Sequence, residues 1–338
     1  VFFKFPIALL FSPLMSLFAQ HFTQLGIYFF SGALIFCFCG CGAENTSGDR
    51  ENSLNEHSPV KGKKGRHVFD DGSVYDGELV AGKPEGYGER RYLNDDVYIG
   101  NFHNGLSHGQ GTLRYKSDVH LSRYVGVWQN GKRNGYGSLY LADGSVFVGQ
   151  WSANVMVHGE FRGIDGTFLS GTWRGDSLER GKMSQVDGSI FTGVFDSEGR
   201  YLAGSLHSPN GDHFVGSFQN GIYEGSGSLI KGDGITYVGG FKAGLYSGEG
   251  ILEDSEGRRY IGSFLQGNPS GEGQQVVSTG VVYSGDWQDG LRHGQGSIDF
   301  GDGTSYVGEF RNGLAHDGRY DWGDGRVTRS YQEPDGKW

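Results

Sequence analysis

Two glycine-rich stretches come within one residue of a phosphate-binding loop. Gly126-Val-Trp-Gln-Asn-Gly131-Lys132-Arg133 is one, and the stretch from Gly77 through Gly82-Lys83 is the other. Such a loop cradles phosphate with backbone N–H groups and ends on a Ser or Thr that reaches Mg²⁺. Arg133 and Pro84 stand at that last position, and neither stretch leads into a helical pattern. No Gly-x-Gly pair continues into a dinucleotide fingerprint. Gly-Asp-Gly turns at Gly232, Gly301 and Gly323 raise calcium. Calcium needs six to eight converging oxygens, whereas these acids stand about one per turn, where Asp beside Gly is ordinary turn chemistry. His103, His108, His293 and His316 recur near hairpin loops without paired ligands at metal spacing. No Gly-x-Ser-x-Gly elbow joins a strand to a helix. Carboxylates such as Asp286 and Glu309 occupy equivalent places in a repeat, so their nearness comes from translation. These residues predict no catalytic centre, no metal and no cofactor.

The three cysteines point to different chemistry. Cys37, Cys39 and Cys41 close an apolar run, Leu25–Cys41, which follows a first run, Phe5–Ala19. Residues 5–43 contain no Lys, Arg, Asp or Glu, and Lys4 is the one early cation. The ending Phe38-Cys39-Gly40-Cys41 resembles a bacterial lipoprotein signal, in which a Cys after small residues is lipid-modified and becomes the mature N-terminus. Cys41, between Gly40 and Gly42, fits that role; Phe38 departs from the usual Leu. An uncleaved anchor is a second reading, since 17 apolar residues approach the length of a span. An ordinary cleaved signal is a third. All three export the rest of the chain or hold it at a membrane surface, and the lipoprotein resemblance implies a bacterial cell envelope. Residues 1–41 are therefore expected as signal or anchor and 42–66 as a polar tether.

The elements that would position any site come from a period of 23 residues. Units open at Tyr75, Tyr98, Tyr124, Phe147, Leu169, Phe191, Phe214, Tyr237, Tyr260, Tyr283 and Tyr306. A fixed period of this size means each unit buries its apolar face mainly against its neighbours. In the copy opening at Phe214, the residues Phe214, Gly216 and Phe218 alternate with Val215, Ser217 and Gln219, which is strand periodicity. Asn220-Gly221 then signals a tight hairpin turn. Gly225, Gly227 and Leu229 mark a second strand, and Asp233-Gly234 turns into the next copy. Short links make consecutive strands antiparallel. The prediction is all-β: an elongated single-layer antiparallel meander of about eleven hairpins over 67–330, with 331–338 as a tail. Twenty-two strands at ~4.8 Å give on the order of 100 Å. One face should be aromatic, its rings shielding neighbouring glycines, and the other wet.

The pattern Y-x-G-x-[W/F]-x-x-G-x-x-x-G-x-G resembles the MORN repeat over about three quarters of the chain, with aromatic, glycine and turn positions together in eight copies. Copies opening at Phe147, Leu169 and Phe191 depart: each has a single glycine, Gly159, Gly181 or Gly204, where the pair belongs. The resemblance implies a non-catalytic hairpin array that serves as a scaffold or protein-binding module, with roles proposed in phospholipid contact and dimerisation. A homodimer is among the implied assemblies.

Composition agrees with a folded array. Gly is 62 of 338 residues, yet the glycines are not at every third place, as collagen would need, and aromatics reach 14%. The net charge is −10 and no basic stripe tracks the repeats, which argues against nucleic acid. The aromatic face carries two readings. Tyr98, Tyr124, Trp128, Tyr237, Tyr260, Tyr283, Trp287 and Tyr306 either only cover the sheet or line a groove that stacks a lipid head group, a glycan or a protein.

Overall fold

The computed structural model describes residues 62–331, and the described part of the chain contains 24 β-strands and no helix. The expected anchor, most of the tether, Cys41 and the tail beyond 331 lie outside the described residues. Strand β1 (Lys63–Val68) begins inside the stretch expected as tether, and β24 (Val327–Tyr331) closes the sheet. Between them each strand pairs antiparallel with the strands before and after it, so the sheet is an open meander. The copy opening at Phe214 is β14 (His213–Gln219) and β15 (Ile222–Ile230), and the next is β16 (Thr236–Lys242) and β17 (Leu245–Glu253).

The two links of a copy differ. Asn220 and Gly221 both have positive φ, 52° and 77°, and join β14 to β15 as a two-residue turn. That mirror-image turn matches the right-handed twist of the strands it joins. The second link has five residues, Lys231 to Ile235: the Gly234 N–H donates to the Lys231 carbonyl (2.9 Å), and only Gly234 has positive φ. The carboxylate of Asp233 accepts the N–H of Ile235 at 3.2 Å. Asx bonds of this kind recur at Asp71, Asp143, Asp187 and Asp302, so the turn acids are already occupied by the backbone.

One glycine from every strand through β23 (Leu314–Asp321) stands directly opposite the glycine of the next strand. The row runs from Gly65 and Gly77 through Gly227, Gly239 and Gly250 to Gly308 and Gly318. A Cβ at Gly250 would lie 2.5 Å from the Tyr237 hydroxyl, so the ring rests on bare backbone. The other glycine of each pair acts differently. Gly248 has φ 69° and open space where a Cβ would be. It belongs to a bulge: β16 pairs Gly239 with Gly250 and then Gly240 with Ser247, leaving Gly248 and Glu249 extra on β17. The Gly-x-Gly signature thus combines a packing glycine with a backbone glycine.

The bulge explains the copies that depart from the pattern. Strands β8 (Val146–Ser152) with β9 (Val155–Arg162), β10 (Phe168–Arg174) with β11 (Ser177–Ser184), and β12 (Ile190–Phe195) with β13 (Tyr201–His207) have one extra residue at the break instead of two. Their single glycines, Gly159, Gly181 and Gly204, are the packing ones, and the row continues through them. The glycine lost is the bulge glycine. The copy opening at Tyr306 behaves in the same way: β22 (Ser305–Arg311) and β23 show a one-residue shift, with His316 as the extra residue between Ala315 and Asp317. It therefore belongs with the departing copies, not with the regular ones.

Candidate functional site

The opening tyrosines lie along the glycine row and are fully or almost fully buried. Tyr98, Tyr124, Tyr237 and Tyr283 have no exposure, and Tyr260, Tyr306, Trp128 and Trp287 have at most 6%. Each tyrosine donates its hydroxyl to the carbonyl three residues on: Tyr98 to Asn101 (3.0 Å), Tyr237 to Gly240 (2.9 Å) and Tyr283 to Asp286 (2.8 Å). These carbonyls sit where the register breaks, so the hydroxyl bonds backbone beside the bulge. Trp128 and Trp287 donate their indole N–H to Gly111 and Gly273 of the preceding copy, each at 3.2 Å. Rings meet edge to face at 5.0–5.3 Å, as Tyr98 with Trp128 and Tyr260 with Trp287, a geometry that adds to area burial. Burial raises the hydroxyl pKa of Tyr124, Tyr260 and Tyr283 to about 12 and moves Tyr98 and Tyr237 in the same direction.

All eight rings anticipated as a binding face are thus brought together, but as the core of the sheet. The surface above them is made by a position the sequence did not flag, the second residue after each tight turn. Tyr223 stacks on Phe214 at 3.8 Å with planes 10° apart, and Tyr246 stacks on Tyr237 at 3.9 Å. Tyr201 lies on Phe191 in the same way at 4.0 Å and holds the same register place opposite Phe195, although it follows a five-residue link, Asp196 to Arg200, not a tight turn. These three outer rings are half-buried. Elsewhere the position holds a cation, a proline, a small residue or, at Met156 and Leu178, a buried aliphatic one. Arg133 lies over Trp151, and Arg292 lies 5.0 Å over Tyr283, where burial lowers its pKa; Pro84 and Ser107 are buried there. Because the residue type changes from copy to copy, no periodic signal marked it. Only the run Tyr201, Tyr223 and Tyr246 puts aromatic surface on three successive copies.

A second exposed feature lies at the tight turns. Ile222, Leu245, Leu291 and Leu314 each begin the strand after such a turn and are about half exposed. They stand at equivalent places in their copies, and a Cβ built on the turn glycine of the following copy would meet Ile222, Leu245 or Leu291 at Gly244, Gly267 or Gly313.

Among the described residues no group of three or more His, Cys, Asp or Glu could hold a metal ion. The stretches that resembled phosphate loops are strand and hairpin turn: Gly131 and Gly82 have φ near 78° and end tight turns. The carboxylate of Asp286 accepts the Gln295 N–H (2.9 Å) and Glu309 pairs with Arg311 (2.8 Å). Glu85 accepts the Asn104 N–H at 2.9 Å and contacts His103 Nδ1 at 2.8 Å. Partial burial works to raise its pKa, but these bonds outweigh it and hold the carboxyl below the usual range. Among the described residues no helix is long and apolar enough to cross a membrane.

An open hairpin meander with a self-covered aromatic face is a repeat architecture. A family model described as MORN repeat matches nine segments: 75–97, 98–118, 124–146, 147–168, 214–236, 237–257, 260–280, 283–305 and 306–316. Together they cover more than half of the sequence, and the chain belongs to the MORN repeat family. The segment 169–213, with its single-glycine copies, is unmatched. Alsin of Rattus norvegicus and of Homo sapiens are each 39% identical over 89 residues, 26% of this chain and 5% of the relative; Alsin of Mus musculus is 38% identical over the same length. The chain therefore matches only a small part of these relatives. A solved SAS-4 TCP domain of Drosophila melanogaster, in complex with a proline-rich motif of Ana2, is 13% identical with a TM-score of 0.30, covering 51% of this chain and 88% of that one. MORN repeat proteins generally bind proteins or membranes, and the family is generally non-catalytic.

Proposed function

We propose that this protein is a non-catalytic MORN scaffold, held at a bacterial envelope membrane by a lipid on Cys41, whose array presents a protein-binding surface. The observation that carries the reading is the outer aromatic run Tyr201, Tyr223 and Tyr246, one ring on each of three successive copies, over opening rings that are consumed in the sheet's own packing. Partly buried tyrosines contribute contact area at low entropic cost, and tyrosine is enriched at interfaces. The binding surface is assigned to this run and to the exposed aliphatic residues at the turns. A homodimer through the same surface would be one form of that binding.

Two experiments test the parts separately. Cys41→Ser should move the protein from the membrane fraction to the soluble fraction, and retention on membranes would remove the lipid anchor. Cross-linking and capture from the native host should recover a partner with the wild-type array and lose it with Tyr223→Ser/Tyr246→Ser. Recovery by both would place the interface elsewhere.

A second reading is direct binding of glycans or phospholipid head groups. It is favoured by the flat exposure of the outer rings, each stacked on an inner one within 17° of parallel. Glycan-array or liposome binding by residues 58–338 alone would support it over the scaffold reading, because a scaffold needs neither ligand.

A further inference from the structure

The wet face carries one pair of ionisable rings with no counter-charge. His207 ends β13 and His213 begins β14, and the two stand directly opposite in the ladder. Their imidazoles stack at 3.9 Å with planes 18° apart. On either side the same ladder row is apolar: Ile190 of β12 stands opposite His207, and Ile230 of β15 stands opposite His213. One step further out are Ser184 and Thr236. The same-face neighbours along the strands are Ser205, whose Oγ is 2.8 Å from His213 Nε2, and Val215.

The charged groups of the adjoining turns are engaged with their own backbone or with each other. Asp212 accepts the Gly232 N–H (2.9 Å), Asp187 accepts the Ser189 N–H (2.8 Å), and Lys231 pairs with Asp233 (3.2 Å). Two stacked imidazoles in such a setting tolerate at most one proton easily, because like charges directly opposite in a ladder repel.

We infer that the β13–β14 step is a proton-operated weak joint in the array, closed when both histidines are neutral and loosened when both are charged. The position of the pair gives the joint meaning. It lies where the single-glycine copy opening at Phe191 meets the regular copy opening at Phe214. It also separates the strands that carry Tyr201 and Tyr223, so a partner docked across those rings would be shed in acid; that consequence rests on the binding surface proposed above.

The direction of titration agrees. Burial, and then the neighbouring His207, lower the pKa of His213 below its ordinary 6.5. A histidine whose folded pKa is depressed contributes stability above its unfolded pKa. That contribution is lost as pH falls below about 6.5 and through the folded value.

Hydrogen exchange of the full chain in EDTA, corrected for intrinsic rates, tests the joint without any partner. Between pH 7.5 and 5.0, protection of amides in β13 and β14 should fall about tenfold more than in β16 and β17, the equivalent of one pK unit of coupling. His213→Gln should abolish the difference and His207→Gln should reduce it, both leaving β16–β17 protection unchanged. The imidazole of His213, followed by NMR, should titrate below 6.5 and rise in His207→Gln. Equal losses in both regions, a local loss that survives His213→Gln or is undiminished in His207→Gln, or an ordinary His213 midpoint would overturn the joint. Failure here would leave the binding surface standing, because exchange needs no ligand.

Discussion

The tyrosine that opens a repeat does two jobs, and its hydroxyl can be separated from its ring. Tyr237 covers Gly239 and Gly250 with the ring and bonds the Gly240 carbonyl with the hydroxyl. Tyr237→Phe keeps the first and loses the second, leaving a carbonyl at a register break without that donor. The expected loss is about 1 kcal/mol in urea denaturation. Phe214 has the same place, with its Cζ 2.5 Å from a Cβ built on Gly216, but no hydroxyl. Phe214→Tyr should therefore gain up to about 1 kcal/mol by reaching the backbone near Ser217. The two glycines of the signature should also respond differently. Gly250→Ala places a Cβ 2.5 Å from the Tyr237 hydroxyl and 2.6 Å from its ring and must displace it, at about 2–3 kcal/mol. Gly248→Ala meets no atom within 4 Å but holds φ at 69°, which costs about 1–2 kcal/mol. Comparable losses in the two alanine variants would mean that packing and backbone roles are not divided as described.

At the scale of the hairpin, the sequence disclosed some features and hid others for physical reasons. The period, the tight turns at Asn104, Asn130, Asn220 and Asn312, and the alternation of Phe214, Gly216 and Phe218 were legible because each rests on a local rule. The bulge was not, since Gly225, Gly227 and Leu229 read as plain alternation while β15 slips by two residues against β14. The bulge also decides which copies are irregular. Asp317-Gly318 looks like a regular copy until the one-residue shift of β23 is seen. Strands β1 and β24 carry no repeat signature and exist by pairing with a neighbour. The candidate site was least visible. The rings with the strongest period are core, and the surface rings Tyr201, Tyr223 and Tyr246 stand at a position where composition varies freely. Accordingly, Tyr223→Ser and Tyr246→Ser should lower partner binding at least tenfold while shifting the thermal midpoint by only a few degrees. Truncating Phe214 or Tyr237 to Ala should unfold their copies, by about 3–5 kcal/mol. Circular dichroism melts beside a binding titration separate the two classes.

Across the whole sheet, the buried hydroxyls form a titratable row that runs through regular copies at both ends. Tyr75 and Tyr124 near the start, and Tyr260 and Tyr283 near the end, all have pKa values raised to about 12 by burial. In the unfolded chain the same groups ionise near 10. A group whose folded pKa is raised contributes stability that is complete below the unfolded value and is lost as pH rises through the folded one. The array should therefore hold its stability up to about pH 10 and lose it between pH 10 and 12. Because each copy leans on its neighbours, the loss should spread beyond the copies that titrate. The copies opening at Phe147 and Leu169 contain no tyrosine, so alkali should reach them only through adjacent copies, while those opening at Phe191 and Phe214 have only the outer phenols of Tyr201 and Tyr223, also raised by burial, to ionise. Tyrosinate absorbance and far-ultraviolet circular dichroism, tracked together in an alkaline titration, check this. Coincident transitions above pH 10 are expected, with hydrogen exchange opening first in 75–140 and 237–310. Full ionisation near pH 10 with the strand signal intact would show that the opening tyrosines are reached by solvent and do not close the sheet.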